Sequence, residues 1–228
     1  MTKEKGILYV MTTAVDGLVK IGITGSNLFE KRMYELEKDG YHNVSGLKRK
    51  FAIEVDDYCK KELLLKRLFS RSLVGNSELY TLDLQQVIEL LTSFEGKQIY
   101  PKDETKQELF DQASEAVASS ELSDGEYILS STVNVGDHKE KVSGTLKVEG
   151  GRLTLLKGAV LATESRITVK GYQQARDEAP KSNGVLLADI PCDSVSMAAA
   201  IVCGSNQNGW TKWKDKNGKF IDSYRNGD

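Results

Sequence analysis

Two short apolar segments near the start of the chain, joined by a turn, constrain the fold more than any other feature. The first covers residues 6–10 and the second covers residues 20–23. The stretch between them ends in Asp16-Gly17, a pair that is a strong signal for a β-hairpin. The sequence therefore predicts two antiparallel strands, with Tyr9 and Lys20 near each other across the pair.

A helix is expected directly after the hairpin. Asn27 is suited to cap a helix over residues 28–39, and this helix carries Arg32. Apolar patterns downstream predict a third strand at 51–55, a helix at 58–70 capped by Asp56-Asp57, an extended segment at 78–82 and a helix at 83–94. The fold class is therefore α/β (α+β), with a small antiparallel three-stranded sheet flanked by helices.

The second half of the chain has a different pattern. Residues 102–119 are polar with apolar positions at helical spacing, and residues 119–125 have the composition of a linker. The rest predicts strands at 127–129, 142–148 and 152–156, a helix at 194–203 and a last strand around 219–221. We expect three parts: a domain at 1–96, a helical connector at 97–123, and a second small α+β domain at 124–228 whose first part is β-rich.

Composition limits the classes of function. No apolar run approaches the length of a membrane span, and the N-terminus lacks an apolar signal core, which predicts a cytoplasmic protein without membrane contact. The three cysteines are widely spaced and predict reduced, packed thiols. The net charge is −2, and residues 1–96 carry equal numbers of basic and acidic side chains. Any DNA-binding surface must therefore be a local patch.

The hairpin and the helix after it carry a resemblance to a known family. Tyr9 in the first strand, Lys20-Ile21-Gly22 in the second and Arg32 in the helix resemble the motifs of the GIY-YIG nuclease superfamily, over roughly residues 5–96. The second motif has a lysine, Lys20, in place of the usual tyrosine. In this it resembles the phage-type branch of the superfamily, which is often labelled a DNA-binding domain. The resemblance implies that Tyr9 and Lys20 flank the attacking water, with Tyr9 as proton acceptor at a lowered pKa, and that Arg32 clamps phosphate.

The resemblance also implies a single divalent ion, Mg²⁺ or Mn²⁺, held by one glutamate. The family's metal-binding helix matches residues 62–69, which assigns the ion to Glu62. Each assignment has a plainer alternative. Arg32 could be a solvated residue paired with Glu30 or Glu35, and Glu62 could form a helix-surface ion pair with Lys66, four residues on.

Four further positions bear on the site. Glu78 is similar to an acidic residue of the phage-type branch, or it lies at a strand edge without a role. Asn76 is a weaker candidate, placed like a loop asparagine of the wider superfamily. Leu36 and Lys66 stand where many relatives carry side chains that assist catalysis. These departures favour a fold that has kept DNA binding without full catalysis.

Basic clusters supply the candidate DNA contacts. The predicted domain at 1–96 offers Lys48, Arg49 and Lys50 in one run and Lys60, Lys66 and Arg67 near Glu62. The predicted domain at 124–228 offers Trp210 with Lys212. Interleaved aromatic and basic side chains can stack on a nucleic-acid strand. The alternative is that the charge runs are solvated faces and that both tryptophans, Trp210 and Trp213, close a small core.

The second half carries a resemblance of its own. A Leu-Lys-Gly-Ala segment at 156–159, a serine–alanine helix at 194–200, Asn-Gly-Trp at 208–210 and Trp-Lys at 213–214 resemble an uncharacterised C-terminal domain of GIY-YIG nucleases and restriction-associated proteins. The resemblance implies a nucleic-acid-facing module, with a homo-oligomer or restriction and defence proteins as further partners.

Together these observations predict a divalent-metal-dependent DNA endonuclease, or DNA-processing protein, of phage, mobile-element or defence type. Two alternatives stay open at this point. The chain could be a non-catalytic DNA-binding or regulatory protein that retains the fold. It could also be a protein-interaction module, which would show no salt-sensitive DNA binding.

Overall fold

The computed structural model describes residues 4–224, and contacts within the chain divide it into two compact units. The first unit ends at Ser114 and the second unit begins at Glu115. The predicted fold class is confirmed, because antiparallel sheets flanked by helices form the first unit and a small α+β region forms the second. The domain boundaries at 96 and 123 stay predictions.

The first unit is built on a five-stranded antiparallel sheet in the order β4-β2-β1-β3-β5. Its strands are β1 (Lys5–Thr12), β2 (Leu18–Thr24), β3 (Lys48–Asp56), β4 (Leu79–Thr81) and β5 (Lys97–Tyr100). The β1–β2 hairpin is confirmed, with Tyr9 opposite Gly22 and Met11 opposite Lys20. The sheet has two strands more than predicted, because the edge strands β4 and β5 are only three and four residues long.

Four helices belong to or begin in the first unit: α1 (Phe29–Asp39), α2 (Tyr58–Leu68), α3 (Leu84–Ser93) and α4 (Lys106–Ser120), which runs past the division. The cap predicted at Asn27 is wrong, because this residue lies within a single 3-10 turn and α1 begins after Leu28 without a side-chain cap. Asp57 also makes no side-chain cap at α2. Asp83 does cap α3, where its carboxylate accepts a hydrogen bond from the Gln86 amide at 3.0 Å.

Both faces of the central strand β1 are buried, which explains its continuous apolar sequence. Leu8 and Val10 pack into one cluster with side chains of α2 and α3. Ile7, Tyr9 and Met11 pack into another, with Phe29, Met33 and Leu36 of α1. Leu36 is 1% exposed and is part of this core.

The second unit contains a four-stranded antiparallel sheet in the order β11-β8-β7-β6. Its elements are β6 (Gly125–Val135), β7 (His138–Glu149), β8 (Arg152–Leu155), α5 (Lys170–Glu178), the two-residue strands β9 (Lys181–Ser182) and β10 (Val185–Leu186), β11 (Ile190–Cys192) and α6 (Val195–Cys203). The sequence did not predict α5. The last strand, predicted around 219–221, is reduced to a single antiparallel bridge between Phe220 and Lys214, because a 3-10 helix begins at Ile221. Across residues 4–224, no helix has the length and apolar run needed to cross a bilayer.

Helix α6 is buried along its whole length and organises the second unit. It is confirmed with its predicted ends: Ser194 accepts a hydrogen bond from the Met197 amide at 3.1 Å, and Gly204 ends the helix in the left-handed conformation. The Asn-Gly-Trp segment packs against its first turn. A Cβ added at Gly209 would lie 2.3 Å from the carbonyl carbon of Val195, which requires a glycine there.

Candidate functional site

The phenol of Tyr9 forms the floor of the candidate site. Tyr9 is 1% exposed and lies across the hairpin from Gly22. A Cβ at Gly22 would come within 2.5 Å of the Tyr9 hydroxyl oxygen, so only glycine lets the ring lie over β2 at this point. The glycine of the Lys-Ile-Gly triplet therefore has a local structural reason.

Arg32 projects from α1 onto this phenol. Its half-buried guanidinium lies close enough to the Tyr9 hydroxyl for the two groups to shift each other's pKa, lowering that of the phenol and raising that of the guanidinium. Both carboxylates that the sequence offered as partners are engaged elsewhere: Glu30 binds Arg49 at 2.9 Å, and Glu35 lies 3.9 Å from Lys31. Among residues 4–224, Arg32 has no ion pair within 4.0 Å. Glu78 and Glu35 act on Arg32 from a distance and raise its pKa, but neither forms an ion pair with its guanidinium within 4.0 Å.

Lys20 is fully buried and lies on the same face of β2 as Gly22. It forms an ion pair with Glu78. The sheet register brings this pair together, because Lys20 lies opposite Leu79 and the Ile21 amide donates to the Glu78 carbonyl at 3.1 Å. Glu78 therefore lies at the edge of the site, where the sequence offered it as a second acid. The prediction that Tyr9 and Lys20 are neighbours is also confirmed, since the Lys20 ammonium lies 5.6 Å from the centroid of the Tyr9 ring.

Tyr41 is a site residue that the sequence analysis missed. Its ring centroid lies 4.1 Å from the Lys20 ammonium, closer than the ring of Tyr9. Tyr41 follows Gly40, which ends α1, so it belongs to no periodic segment. The one available signal was an aromatic residue directly after a helix that carries a candidate site residue.

Glu62 and Lys66 of α2 complete the cluster. Their side chains form the ion pair that the sequence offered as the plainer alternative, with 2.8 Å between Nζ and Oε1. The pair also interacts with the rest of the site, because Glu62 acts electrostatically on Lys20, and Glu78 acts on Lys66. The fold thus brings together all four residues that the resemblance placed at the site: Tyr9, Lys20, Arg32 and Glu62.

The electrostatics bear on one expectation about Tyr9. Burial raises the pKa of Tyr9 to about 12, although the hydrogen bond and charge of Arg32 act in the opposite direction. The neighbouring cations alone therefore do not lower the pKa of Tyr9, and the phenol holds its proton near neutral pH. Burial also lowers the pKa of Lys20, while Glu78 counteracts this shift.

The oxygen donors of the site decide whether a divalent ion fits. Among residues 4–224, no group of three or more His, Cys, Asp or Glu side chains lies together. Mg²⁺ keeps several of its waters and needs only one or two protein carboxylates. The side chains of Glu62 and Glu78 are 19% and 29% exposed, and each binds one lysine. This donor set fits a largely hydrated Mg²⁺ at Glu62, provided that Lys66 gives way.

Arg49 has a structural role that the sequence did not predict. Its guanidinium binds both carboxylate oxygens of Glu37 at 2.8 Å and one oxygen of Glu30 at 2.9 Å. These bonds tie β3 to α1 on both sides of Arg32, and the DNA contact of Arg49 stays a prediction. Its neighbours Lys48 and Lys50 are exposed and stay predictions.

The remaining predicted contacts of the first unit are exposed side chains. Lys60 and Arg67 are exposed on α2, and Lys60 lies 3.5 Å from Asp57. Asn76 is exposed, and the described part of the chain shows no contact between it and the site.

The tryptophans of the second unit belong to its core. Trp210 is 4% exposed and Trp213 is fully buried, with its indole nitrogen donating to the Val195 carbonyl at 2.9 Å. The stacking role predicted for Trp210 is therefore corrected in favour of the core alternative. Lys212 is half-buried, and its DNA contact stays a prediction.

Comparison with known families agrees with the two-part organisation. Residues 6–95 match the T5orf172 domain, and residues 137–225 match a domain of unknown function, DUF4357. No curated protein and no solved structure matches the chain. The first match is consistent with the phage-type resemblance and with a DNA-associated protein. The second is consistent with the resemblance noted for the C-terminal half.

Proposed function

We propose that the first unit is a GIY-YIG-type nuclease domain and that the chain is a divalent-metal-dependent DNA endonuclease of phage, mobile-element or defence type. The observation that carries this proposal is the state of Arg32. The cluster contains three cations, and two of them, Lys20 and Lys66, are neutralised by glutamates. Arg32 is the one cation of the three without an ion pair within 4.0 Å among the described residues, and this leaves a permanently charged fork next to Tyr9 for a phosphate.

Hydrolysis of a phosphodiester requires a positioned water, charge stabilisation at phosphorus and a proton for the leaving oxygen. Arg32 binds the phosphate oxygens on which charge develops, and Tyr9 fixes the direction of the guanidinium. Tyr9 accepts a proton from water only as its phenolate. Lys20, between Tyr9 and Tyr41, holds Glu78 in an ion pair and so keeps the negative charge of Glu78 compensated beside Arg32. A bound Mg²⁺ at Glu62 would supply Lewis-acid charge and acidify a bound water.

The test is cleavage of plasmid and branched DNA in Mg²⁺ or Mn²⁺ by the wild type and by Arg32→Ala and Glu62→Ala. Arg166→Ala is the matched control, because this arginine is exposed in the second unit and lies 3.7 Å from Glu164. We expect metal-dependent cleavage that both site variants lose and the control retains. Cleavage that survives in Arg32→Ala would contradict the proposal.

A second candidate function is DNA binding without hydrolysis. Its support is that both glutamates of the cluster are already paired with lysines and that the Tyr9 phenol is strongly protonated. In that case the wild type binds DNA in a salt-sensitive manner, Glu62→Ala binds equally well, and no metal produces cleavage. The same set of variants therefore separates the two candidates.

A further inference from the structure

The ion pair between Glu62 and Lys66 occupies the carboxylate that the proposed function assigns to the metal. The Lys66 ammonium lies 2.8 Å from Oε1 of Glu62. A cation at this position both shields the carboxylate and repels a second cation. As long as the pair persists, Glu62 is a poor ligand for a divalent ion.

Lys66 differs from an ordinary partner in a helix-surface pair. Glu78 and Tyr80 act electrostatically on Lys66, in addition to Glu62, and Lys66 acts on Tyr41. It therefore lies within electrostatic range of Glu78 and Tyr41 as well as in contact with Glu62. By contrast, Lys60 of the same helix is 82% exposed in its side chain, and its ion-pair partner is Asp57, one residue before the helix.

Lys66 also has the freedom to exchange partners. Its side chain is 43% exposed, whereas that of Lys20 is fully buried beside Glu78. A long, partly exposed lysine can move its ammonium by several ångströms through rotations of its own side chain. Phosphate oxygens of a bound DNA strand would offer this ammonium a second anionic partner.

We propose that Lys66 is a tethered cation that holds Glu62 in the absence of DNA and moves to a phosphate oxygen when DNA binds. This rests on the proposed function, in which Glu62 holds the divalent ion. Lys66 thereby makes metal uptake depend on substrate, because Glu62 becomes a free ligand only once the ammonium has another anion. By linkage, metal and DNA then bind with positive coupling.

The first test measures Mn²⁺ affinity without DNA, by counting free Mn²⁺ with electron paramagnetic resonance. The variants are Lys66→Met, which removes the charge at similar length, and Lys66→Arg, which retains it. Lys60→Met is the matched control on the same helix. We expect Lys66→Met to bind Mn²⁺ roughly two- to fivefold more tightly than the wild type, as expected for the loss of one competing ion pair. Lys66→Arg and Lys60→Met should match the wild type.

The second test adds a phosphorothioate duplex that resists hydrolysis. In the wild type this DNA should raise Mn²⁺ affinity, and in Lys66→Met the gain should be smaller. Equal Mn²⁺ affinity of the wild type and Lys66→Met, with the same gain on adding DNA, would overturn the inference.

Failure of the underlying function has a different signature. If Glu62→Ala binds Mn²⁺ as tightly as the wild type, Glu62 is not the metal ligand, and both proposals fail together. If Glu62→Ala loses Mn²⁺ while Lys66→Met behaves as the wild type, only the role of Lys66 fails. Thermal unfolding of each variant verifies that α2 is intact.

Discussion

Among residues 4–224, each unit buries one cation, and the two are satisfied in different ways. Lys20 in the first unit is fully buried, pairs with the partly exposed Glu78 and lies between two tyrosine rings. Arg176 in the second unit is 4% exposed and donates to the backbone carbonyls of Ile201 and Ala162. Lys20 thus belongs to a cluster of ionisable side chains, whereas Arg176 completes the hydrogen bonding of a helix end and a loop.

This difference separates a candidate functional charge from a structural one. Burial of a cation costs free energy unless hydrogen bonds and an opposite charge compensate it. At Arg176 the compensation comes from main-chain carbonyls that would otherwise stay unpaired inside the core. At Lys20 it comes from a carboxylate that reaches the surface. A ligand that carries negative charge can therefore change the electrostatics of Lys20.

The largest effect is expected at Lys20. Lys20→Met should lower the rate of DNA cleavage by about a hundredfold, because it leaves the negative charge of Glu78 uncompensated next to the phosphate-binding Arg32. The unfolding free energy should change much less, because Glu78 is partly exposed and can be hydrated. Single-turnover cleavage and chemical denaturation of the same variant measure both quantities. A variant that loses unfolding free energy but retains its cleavage rate would show that Lys20, like Arg176, has a structural role.

Arg176→Met should give the opposite result. The variant leaves two carbonyls unpaired in the core, and we expect the second unit to lose about 2–4 kcal/mol of unfolding free energy. Arg166→Met, at an exposed position, is the control and should change stability by less than about 0.5 kcal/mol. Chemical denaturation followed by tryptophan fluorescence reports on this unit, because both tryptophans lie in its core. An unchanged unfolding free energy of Arg176→Met would show that Arg176 does not stabilise the second unit.

The pKa of Tyr9 predicts the pH dependence of cleavage. Since burial raises this pKa to about 12, the phenolate fraction rises tenfold for each unit of pH throughout the neutral range. If Tyr9 is the proton acceptor, log rate should rise with a slope of one between about pH 6.5 and 8.5, without a plateau. Tyr9→Phe should remove this dependence. A plateau below pH 8 in the wild type would assign proton transfer to another group.

A smaller effect is expected at Gly22. The methyl group in Gly22→Ala would contact the Tyr9 hydroxyl and displace it from Arg32, which should reduce cleavage by about tenfold. Gly171→Ala is the matched control, because a Cβ there meets no atom within 4 Å and α5 accepts alanine. Equal rates for both variants would show that the contact between Tyr9 and Arg32 is dispensable.

The sequence was most informative where local patterns decide the structure. The hairpin followed from alternation and Asp16-Gly17, and α6 followed from Ser194 and Gly204 at its ends. The edge strands β4 and β5 were too short for a period to appear. Helix α5 was missed because its residues are mainly polar, with Arg176 as its buried residue. Such a helix is specified by hydrogen bonds to distant carbonyls, which no local pattern reveals.

The candidate site shows the same limit. Motif spacing brought forward the residues from β1, β2, α1 and α2, and the fold places them together. Motif spacing could not reveal that Arg49 is bound by Glu37 and Glu30, because these contacts join β3 to α1 across the first unit. Nor could it reveal Tyr41, whose contact with Lys20 depends on the path of the chain after Gly40. The pKa of Tyr9 likewise depends on burial that only the packed structure defines.

The central claim is that Arg32 is available to bind a phosphate of DNA. The most direct test is equilibrium binding of duplex DNA by the wild type, Arg32→Ala and Arg166→Ala across a series of salt concentrations, without divalent metal. The account predicts that Arg32→Ala weakens binding and lowers the slope of log affinity against log salt by about one, as for the loss of one phosphate contact. Arg166→Ala should follow the wild type. Identical slopes and affinities for all three proteins would contradict the account.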